Sequence, residues 1–488
     1  MKQVGRLAAA TAAGVLAVGG FAPFGLFVLP VLALAALLWL TDRCSTRAAA
    51  LTGFVFGLGW FLAGVSWVHV SLHQFGGMPV AISLLATFLF CAYLSLFPAV
   101  ACAIQCRLQP AGWLFAPLFA SAWVLTEWLR GTLLTGFPWL ASGYAQTVPS
   151  PLAGYVPVLG VHGAGWMAAL LAGLLARVVL RRLAVRPALL LAAGVLAAGV
   201  LLAQVRWTEP LDRRLTVSLL QGNVEQSMKW VPEHLPDSMH AYLDLARAWP
   251  ADLVVLPETA VPLELERIDP GWLAELQRTG RDVLMGAITV GRGADGEPHY
   301  YNSAVALGRP DVGYSKSHLV AFGEFTPPLF AWTLELLSIP MSDFGRGAPV
   351  QPPLALAGER VAVNICYEDV FGEELIATAR DATLLVNVSN TAWFGDSLAQ
   401  PQHLQIARMR ALELGRPMLR ATNTGMTAAI GADGRVIAAL PPFQRAALRV
   451  ELSGYRGLTP FMRWGNVPVV LLALLCGTIA MVRRKASR

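Results

Sequence analysis

Eight long apolar runs constrain this 488-residue chain more than any other feature of its sequence. Crossing about 30 Å of hydrocarbon takes roughly 20 helical residues. The runs occupy residues 7–23, 24–40, 48–70, 78–105, 112–129, 157–180, 187–205 and 467–482. A signal peptide is the alternative for the first run, but the apolar pattern resumes at once after the break at Gly19, Gly20 and Pro23. The sequence therefore predicts about eight transmembrane helices.

The acidic residues divide the chain into parts that meet different solvents. Residues 1–206 contain two acids, Asp42 and Glu127, whereas residues 207–466 contain the other 29. Of all residues, 55% are hydrophobic and 14% charged, against about 45–50% and about 25% in soluble domains. We therefore expect a membrane domain of about seven helices at 1–206, a water-exposed domain at 207–466, and a last transmembrane helix with a basic tail at 467–488.

The basic residues predict the orientation and argue against nucleic acid as a partner. Although the net charge is +6, residues 207–466 hold 22 basic and 29 acidic residues, so the domain that meets water is acidic. The remaining basic residues fall mostly in every second connection between apolar runs: Lys2, Arg6, Arg43, Arg47, Arg107, Arg177, Arg181, Arg182, Arg186, Arg483, Arg484, Lys485 and Arg488. The positive-inside rule then places both termini in the cytoplasm and the 207–466 domain in the periplasm, for a multi-pass protein of the bacterial inner membrane.

From Leu215 the pattern changes to short β-rich runs separated by helical stretches. The runs are TVSLLQ, DLVVLPE, DVLMGAITV, YYNSAVALG, RVAVNICYE, ATLLVNVSN and MTAAIGADGRVIAAL. Helices are predicted over 236–248, 270–279, 370–380 and 401–415. This alternation predicts an α/β layered fold in which active groups stand at strand ends.

Three reactive side chains follow this expectation. Glu258 comes after LVVL in LPETA, Cys366 comes after VAVNI in ICYED, and Lys316 lies in GYSKSHLVAFGEF. The other five cysteines belong to membrane segments or their connections, so Cys366 has no disulfide partner within its own domain. The simpler interpretations are a helix cap at Glu258, an inert buried cysteine and a solvated surface lysine.

Together these three groups meet the needs of acyl transfer through a thioester. A thiolate that attacks an ester carbonyl creates an oxyanion, which the Lys316 ammonium can stabilise while also favouring the thiolate. Glu258 can take the thiol proton and return it to the leaving alcohol. The histidines form no metal-ligand spacing, and we expect neither a metal nor a soluble cofactor.

The motifs carry a family resemblance. LPETA, YSKSHLVAFGEF and ICYED resemble the Glu, Lys, Cys triad motifs of the nitrilase superfamily, whose fold is an α-β-β-α sandwich. With the apolar segments, SNTAWFGDS at 389–397 and HLQIARMRALELGRP at 403–417, essentially the whole chain resembles the apolipoprotein N-acyltransferases, membrane-embedded members of that superfamily. The resemblance implies that Glu258, Lys316 and Cys366 are catalytic. It further matches four supporting residues: Trp230, Glu324, Tyr367 and Glu368.

The resemblance implies a two-step transfer. Cys366 takes an acyl chain from a membrane phospholipid, typically phosphatidylethanolamine, and the α-amino group of a diacylglyceryl cysteine at a lipoprotein N-terminus then attacks the thioester. One alternative is a membrane-tethered nitrilase-type amidase, although a small polar substrate would not need the large membrane part. The other is a non-enzymatic transporter or scaffold, although the ionisable groups of the apolar part stand near segment ends, which makes a poor conduction path.

Several residues are candidates for substrate contact. The apolar segment 325–340 lies between Lys316 and Cys366 and is interpreted as a lid that dips into the bilayer interface, with a plain buried helix as the alternative. Its proposed lipid contacts are Phe330, Trp332, Leu336 and Leu337. Trp139, in a loop outside the membrane, and Trp393 are the other candidates. Anchoring at the membrane interface is the alternative for Trp139.

Overall fold

The computed structural model describes residues 3–108, 112–229, 231–292, 297–326 and 344–486. Their contacts divide the chain into two units. The helical unit comprises Met1–His69, Val80–Arg206 and Arg463–Arg488, and the sandwich unit comprises Val70–Pro79 and Trp207–Met462. The segment Val70–Pro79, which connects two apolar helices, is thus grouped with the sandwich unit.

In the helical unit, one helix overlaps each predicted apolar run. The helices are Gln3–Ala17, Val28–Leu40, Thr46–Val65, Val80–Leu108, Phe115–Arg130, Val156–Val179, Val185–Leu202 and Val467–Ala486. Among the described residues, five helices are long and apolar enough to cross a membrane: Thr46–Val65, Val80–Leu108, Pro151–Val179, Val185–Leu202 and Val467–Lys485. The other three have 15, 13 and 16 residues. The unit fits the predicted membrane helical domain.

The sandwich unit is built on two six-stranded sheets in its described residues. The strands are β1 Thr208–Gln221, β2 Ala251–Val255, β3 Gly280–Arg292, β4 Pro298–Ala306, β5 Arg309–Ser315, β6 Leu354–Leu356, β7 Glu359–Ile365, β8 Leu384–Ser389, β9 Met418–Thr422, β10 Ala428–Ile430, β11 Val436–Ala439 and β12 Ala446–Gly457. The sheet orders are β12-β1-β2-β3-β4-β5 and β11-β10-β9-β8-β7-β6. The pairs β1–β2, β2–β3, β7–β8 and β8–β9 are parallel, and the outer pairs are antiparallel.

Successive side chains along the strands are buried on opposite faces of each sheet, so the two sheets lie between two layers of helices. Leu215, Val217 and Leu219 of β1 enter an apolar core shared with β7 and β8 of the other sheet, whereas Leu220 faces a helical layer. The helices Leu235–Ala248 and Pro270–Gln277 cover the first sheet, and Gly372–Ala379 and Ala399–Leu414 cover the second. The predicted α-β-β-α sandwich is confirmed.

Parallel pairing brings the ends of several strands to common sheet edges. In the second sheet, Ile365 of β7 pairs with Val388 of β8, and Val388 pairs with Ala421 of β9. In the first, Val255 of β2 pairs with Leu284 of β3. The residues that follow β2 and β7 therefore stand at carboxyl edges of the two sheets, where α/β folds usually place reactive groups.

Candidate active site

Strand ends position the three predicted reactive residues. Glu258 follows β2 by three residues, Lys316 comes directly after β5, and Cys366 comes directly after β7. All three are buried, with exposed fractions of 7%, 1% and 7% respectively. The Lys316 N–H donates to the carbonyl of Asn302 in the adjacent strand β4 at 2.8 Å, which fixes the chain as it leaves the sheet.

Lys316 stands between two carboxylates. Its Nζ lies 2.8 Å from Glu324 and 3.6 Å from Glu258 Oε1. Asn302 Nδ2 joins the same carboxylates, because it donates to Glu258 Oε1 at 2.7 Å and to Glu324 Oε1 at 2.8 Å. Burial alone would lower the pKa of Lys316, but Glu324 and Glu258 outweigh burial and raise it. Lys316 is therefore an ammonium at neutral pH.

Cys366 occupies a sharp turn from strand to helix. It begins the 3₁₀-helix Cys366–Val370 with a φ of +53°, in the left-handed region that non-glycine residues rarely adopt. Burial and the nearby Glu258 carboxylate raise the pKa of its thiol to about 12, although Lys316 and the Ser389 hydroxyl act in the opposite direction. The resting residue is a thiol, and its use as a nucleophile requires a base.

Two hydrogen bonds fix the Glu258 carboxylate. Its Oε1 accepts from Asn302, and its Oε2 accepts from the backbone N–H of Asn390 at 2.7 Å. Its charge acts on the thiol of Cys366 and on Lys316, so all three groups share one electrostatic environment. A carboxylate, an ammonium and a thiol in one buried cluster can perform base-assisted nucleophilic attack on a carbonyl.

Glu368 ties the Lys316 loop to the Cys366 turn. Its two oxygens accept five hydrogen bonds of 2.7–3.0 Å, from the N–H groups of Ser317, His318 and Ile365 and the hydroxyls of Tyr314 and Ser317. Burial raises the pKa of Glu368, even though the backbone donors favour the charged form. Because the donors come from residues beside both Lys316 and Cys366, Glu368 fixes their relative position.

Residues 13–174 match the family described as apolipoprotein N-acyltransferase N-terminal domain, and residues 216–457 match carbon-nitrogen hydrolase. An apolipoprotein N-acyltransferase of Nitrosomonas europaea is 49% identical and the match covers 97% of each chain. One from Ralstonia nicotianae is 47% identical, over 99% of this chain and 94% of that relative. The chain belongs to the apolipoprotein N-acyltransferase family.

Membership of the apolipoprotein N-acyltransferase family confirms the resemblance seen in the motifs. The chain is an acyltransferase of the nitrilase superfamily, a membrane protein, and an enzyme with lipoprotein and lipid substrates. A solved carbon-nitrogen hydrolase from Helicobacter pylori G27 is 18% identical, with a TM-score of 0.37, over 49% of this chain and 89% of that one.

A buried ionic network of the N-acyltransferase lies behind the Cys366 turn and was missed by sequence reasoning. Asp369 Oδ1 lies 2.7 Å from His403 Nε2, and Arg420 donates to Asp369 Oδ2 at 3.1 Å and to His403 Nδ1 at 2.8 Å. Since arginine only donates, His403 Nδ1 accepts and its Nε2–H donates to Asp369. Burial and Arg420 hold the pKa of His403 below its usual range. Arg420 also donates to Asn387, whose Nδ2 donates to the Cys366 carbonyl at 3.1 Å.

Asn302 was also missed, although the sequence contained a signal for it. An asparagine stands in the middle of the apolar run YYNSAVALG, and in the structure it is 3% exposed within β4. A buried amide N–H group in a strand needs hydrogen-bond acceptors, and the amide nitrogen of Asn302 finds them in Glu258 and Glu324.

Aromatic residues surround the Cys366 turn. Tyr367 is half-buried and meets Phe371 edge-on at 5.2 Å, and Phe371 stacks on His318 at 3.7 Å between ring centroids. His318 follows Lys316 by two residues, so this cluster adds an apolar contact between the two loops that Glu368 joins.

Two predicted substrate contacts fall in different units. Trp393 lies in the 3₁₀-helix Thr391–Phe394, meets Phe75 edge-on at 5.8 Å, and accepts from Ser71 Oγ at 2.7 Å through its carbonyl. Trp139 belongs to the helical unit, where it is 1% exposed beside Trp67. Five other predicted residues lie outside the described residues, namely the supporting residue Trp230 and the lid contacts Phe330, Trp332, Leu336 and Leu337.

Gly286 of β3 gives a test of how precisely Glu258 must be held. A Cβ at Gly286 would lie 2.3 Å from the Pro257 carbonyl and 2.6 Å from the Glu258 Cα, so Gly286→Ala must displace the Glu258 backbone. We expect acyl-enzyme formation to fall about 100-fold, the cost of a displacement of about 1 Å. The measurement is the single-turnover rate by mass spectrometry.

Gly313→Ala on β5 is the matched control for Gly286→Ala. The nearest atom to its added Cβ would be 3.2 Å away, so the strand needs only a small adjustment. Equal rates in the two variants would contradict the importance of the position of Glu258.

Proposed function

We propose that Cys366, Glu258 and Lys316 carry out a two-step N-acyl transfer through a thioester on Cys366. The observation that carries the proposal is the buried cluster in which the Lys316 ammonium lies 3.6 Å from the Glu258 carboxylate and both charges act on the Cys366 thiol. Membership of the N-acyltransferase family supports the reaction class.

In the first step the enzyme takes an acyl chain from a phospholipid, with phosphatidylethanolamine as the proposed donor. Glu258 accepts the thiol proton as the Cys366 sulfur attacks the ester carbonyl, and the Lys316 ammonium stabilises the resulting oxyanion. The carbon–oxygen bond then breaks, Glu258 returns the proton to the leaving alkoxide, and a lysophospholipid departs. The product is the Cys366 acyl thioester.

In the second step the α-amino group of the N-terminal diacylglyceryl cysteine of a lipoprotein attacks the thioester. Glu258 accepts the proton released by the amine, the carbon–sulfur bond breaks, and the proton passes to the Cys366 thiolate. The product is the amide of a triacylated lipoprotein. The Cys366 thiol is regenerated for the next cycle.

Supporting roles follow from the contacts of each residue. Glu324 holds the Lys316 ammonium at 2.8 Å, and Glu368 fixes the loops of Lys316 and Cys366 to each other. Tyr367 borders the nucleophile within the aromatic cluster. Roles for Trp230 and for the lid segment 325–340 stay predictions, as do substrate contacts with Trp139 and Trp393.

The membrane arrangement is part of the proposal. The basic connections favour cytoplasmic termini and a periplasmic domain at 207–466 between membrane parts at 1–206 and 467–488, in the bacterial inner membrane. Both lipid-bearing substrates are available at the outer face of that membrane.

The decisive test separates donor from acceptor. Purified enzyme is mixed with phosphatidylethanolamine, and mass spectrometry is expected to find a fatty acyl thioester on Cys366. Adding a diacylglyceryl-cysteine peptide should then discharge it with formation of the amide. Phosphatidylglycerol of the same acyl composition is the comparison for headgroup preference. An enzyme that transfers acyl chains with no thioester on Cys366 would overturn the proposal.

The amidase alternative uses the same three residues with water in the second step. It predicts hydrolysis of small amides and no acylation of Cys366 by phospholipid. Retained N-acylation by purified Cys366→Ala would show that Cys366 does not carry the acyl group.

A further inference from the structure

Lys229 is a second buried lysine beside the reacting groups, and neither step above uses it. It ends the short helix Gln226–Lys229 and is 3% exposed. Its Nζ donates to the backbone carbonyl of Glu258 at 3.4 Å. In the part of the chain that the structure describes, no carboxylate oxygen lies within 4.0 Å of this ammonium, in contrast to Lys316.

A buried ammonium without an ionic partner is costly, so its position calls for a function. Burial lowers the pKa of Lys229 to about 8, while Glu258 and Cys366 act in the opposite direction. At pH 7 the residue is still mainly charged. Lys316 is already shared by two carboxylates, so Lys229 is the cation near Cys366 that has no close carboxylate among the described residues.

We propose that Lys229 stabilises the thiolate form of Cys366 and so favours acylation of the enzyme; this rests on the proposed function. Among the described residues, the resting site offers Lys229 one hydrogen-bond acceptor, the Glu258 carbonyl oxygen at 3.4 Å. When the sulfur loses its proton, its negative charge acts on Lys229, and the cation gains an electrostatic partner. Preorganised charge that acts mainly on a developing anion accelerates a reaction more than charge that is neutralised in the resting state.

Other charges that act on the sulfur must be held constant in any test. They are Glu258, Lys316, Glu324 and Arg420. Lys229→Met removes the ammonium while keeping an unbranched side chain, Lys229→Gln is a second neutral variant, and Lys229→Arg keeps the charge. None of these changes alters the four residues above.

The experiment measures the alkylation rate of Cys366 by iodoacetamide from pH 6.5 to 10 in the full-length enzyme, with the modified cysteine identified by peptide mass spectrometry. At pH 7, Lys229→Met is expected to react about tenfold more slowly, equivalent to a rise of about one unit in the thiol pKa. Above pH 8 the unaltered enzyme loses the Lys229 charge, so the difference should shrink. Lys229→Arg should retain the faster rate to pH 10.

Two results would overturn the proposal. One is an equal alkylation rate at pH 7 in the unaltered enzyme and the neutral variants. The other is a slower rate in the neutral variants whose ratio to the rate of the unaltered enzyme stays constant across the pH range. A constant ratio is what a purely structural effect of Lys229 produces. If Lys229→Met does not fold, the alkylation rate of Lys229→Gln is compared with that of the unaltered enzyme over the same pH range. Alkylation needs no phospholipid, so this result stands apart from the acyl-thioester test of the proposed function.

Discussion

Replacing Glu258 with glutamine should slow acyl-enzyme formation by about 10²- to 10⁴-fold, the range that general-base catalysis contributes. The amide has nearly the shape of the carboxylate but cannot accept the thiol proton. Burial and the Glu258 charge raise the pKa of the Cys366 thiol to about 12 in the unaltered enzyme, so the sulfur rests as a thiol at neutral pH and needs a base to become a nucleophile. Lys316 also loses one of its two carboxylate partners.

The measurement for Glu258→Gln is the single-turnover appearance of the acyl thioester with phosphatidylethanolamine. Glu266→Gln, at an exposed position of the same connection after β2, is the control and should keep the full rate. Acylation of Glu258→Gln within threefold of the unaltered enzyme would remove Glu258 from the role of base.

Replacing Arg420 with methionine should lower the free energy of unfolding of the sandwich unit by about 3–5 kcal/mol, the cost of leaving a buried ionic partner uncompensated. Arg420 is 1% exposed and Asp369 0% exposed, so water cannot take the place of the lost guanidinium. Asp369 would keep only His403 from the network, and Asn387 would lose its contact with Arg420.

Thermal and denaturant unfolding of purified protein in detergent, followed by near-ultraviolet circular dichroism, tests the prediction for Arg420. Arg449→Met, on an exposed position of β12, should change stability by less than about 0.5 kcal/mol. The double variant Arg420→Met, Asp369→Leu should lose less than the sum of the single changes, since it removes both charges. Additive losses would show that the two residues do not act as a pair.

The sequence predicted the positions of the reactive groups at strand ends. Glu258 and Cys366 each follow an apolar run, so their places at strand ends were predictable from β-periodicity. Their approach was not, because β2 and β7 belong to different sheets and the two residues meet only through the packing of the sandwich. Lys316 was predicted from chemical need and motif. It comes directly after β5, a strand that was not among the predicted β-rich runs.

Other features depended on tertiary contacts that no local pattern carries. In β9 the run MLRAT contains Arg420, and a buried arginine in a strand is acceptable only because Asp369 and Asn387, distant in sequence, receive its hydrogen bonds. Lys229 is a second example: the structure places it at the end of the short helix Gln226–Lys229 and buries it against the Glu258 carbonyl, and no local pattern indicates that burial. Partners distant in sequence therefore determine where these buried side chains lie.

The grouping of Val70–Pro79 with the sandwich has a practical consequence for anyone who wishes to study the chemistry away from lipid. A fragment beginning at Trp207 would lack Ser71 and Phe75, and would leave Trp393 without the hydroxyl and the ring that these residues supply. The fragment Trp207–Met462 is therefore not the complete sandwich unit, and an isolated version would need residues 70–79 grafted on or added as a peptide.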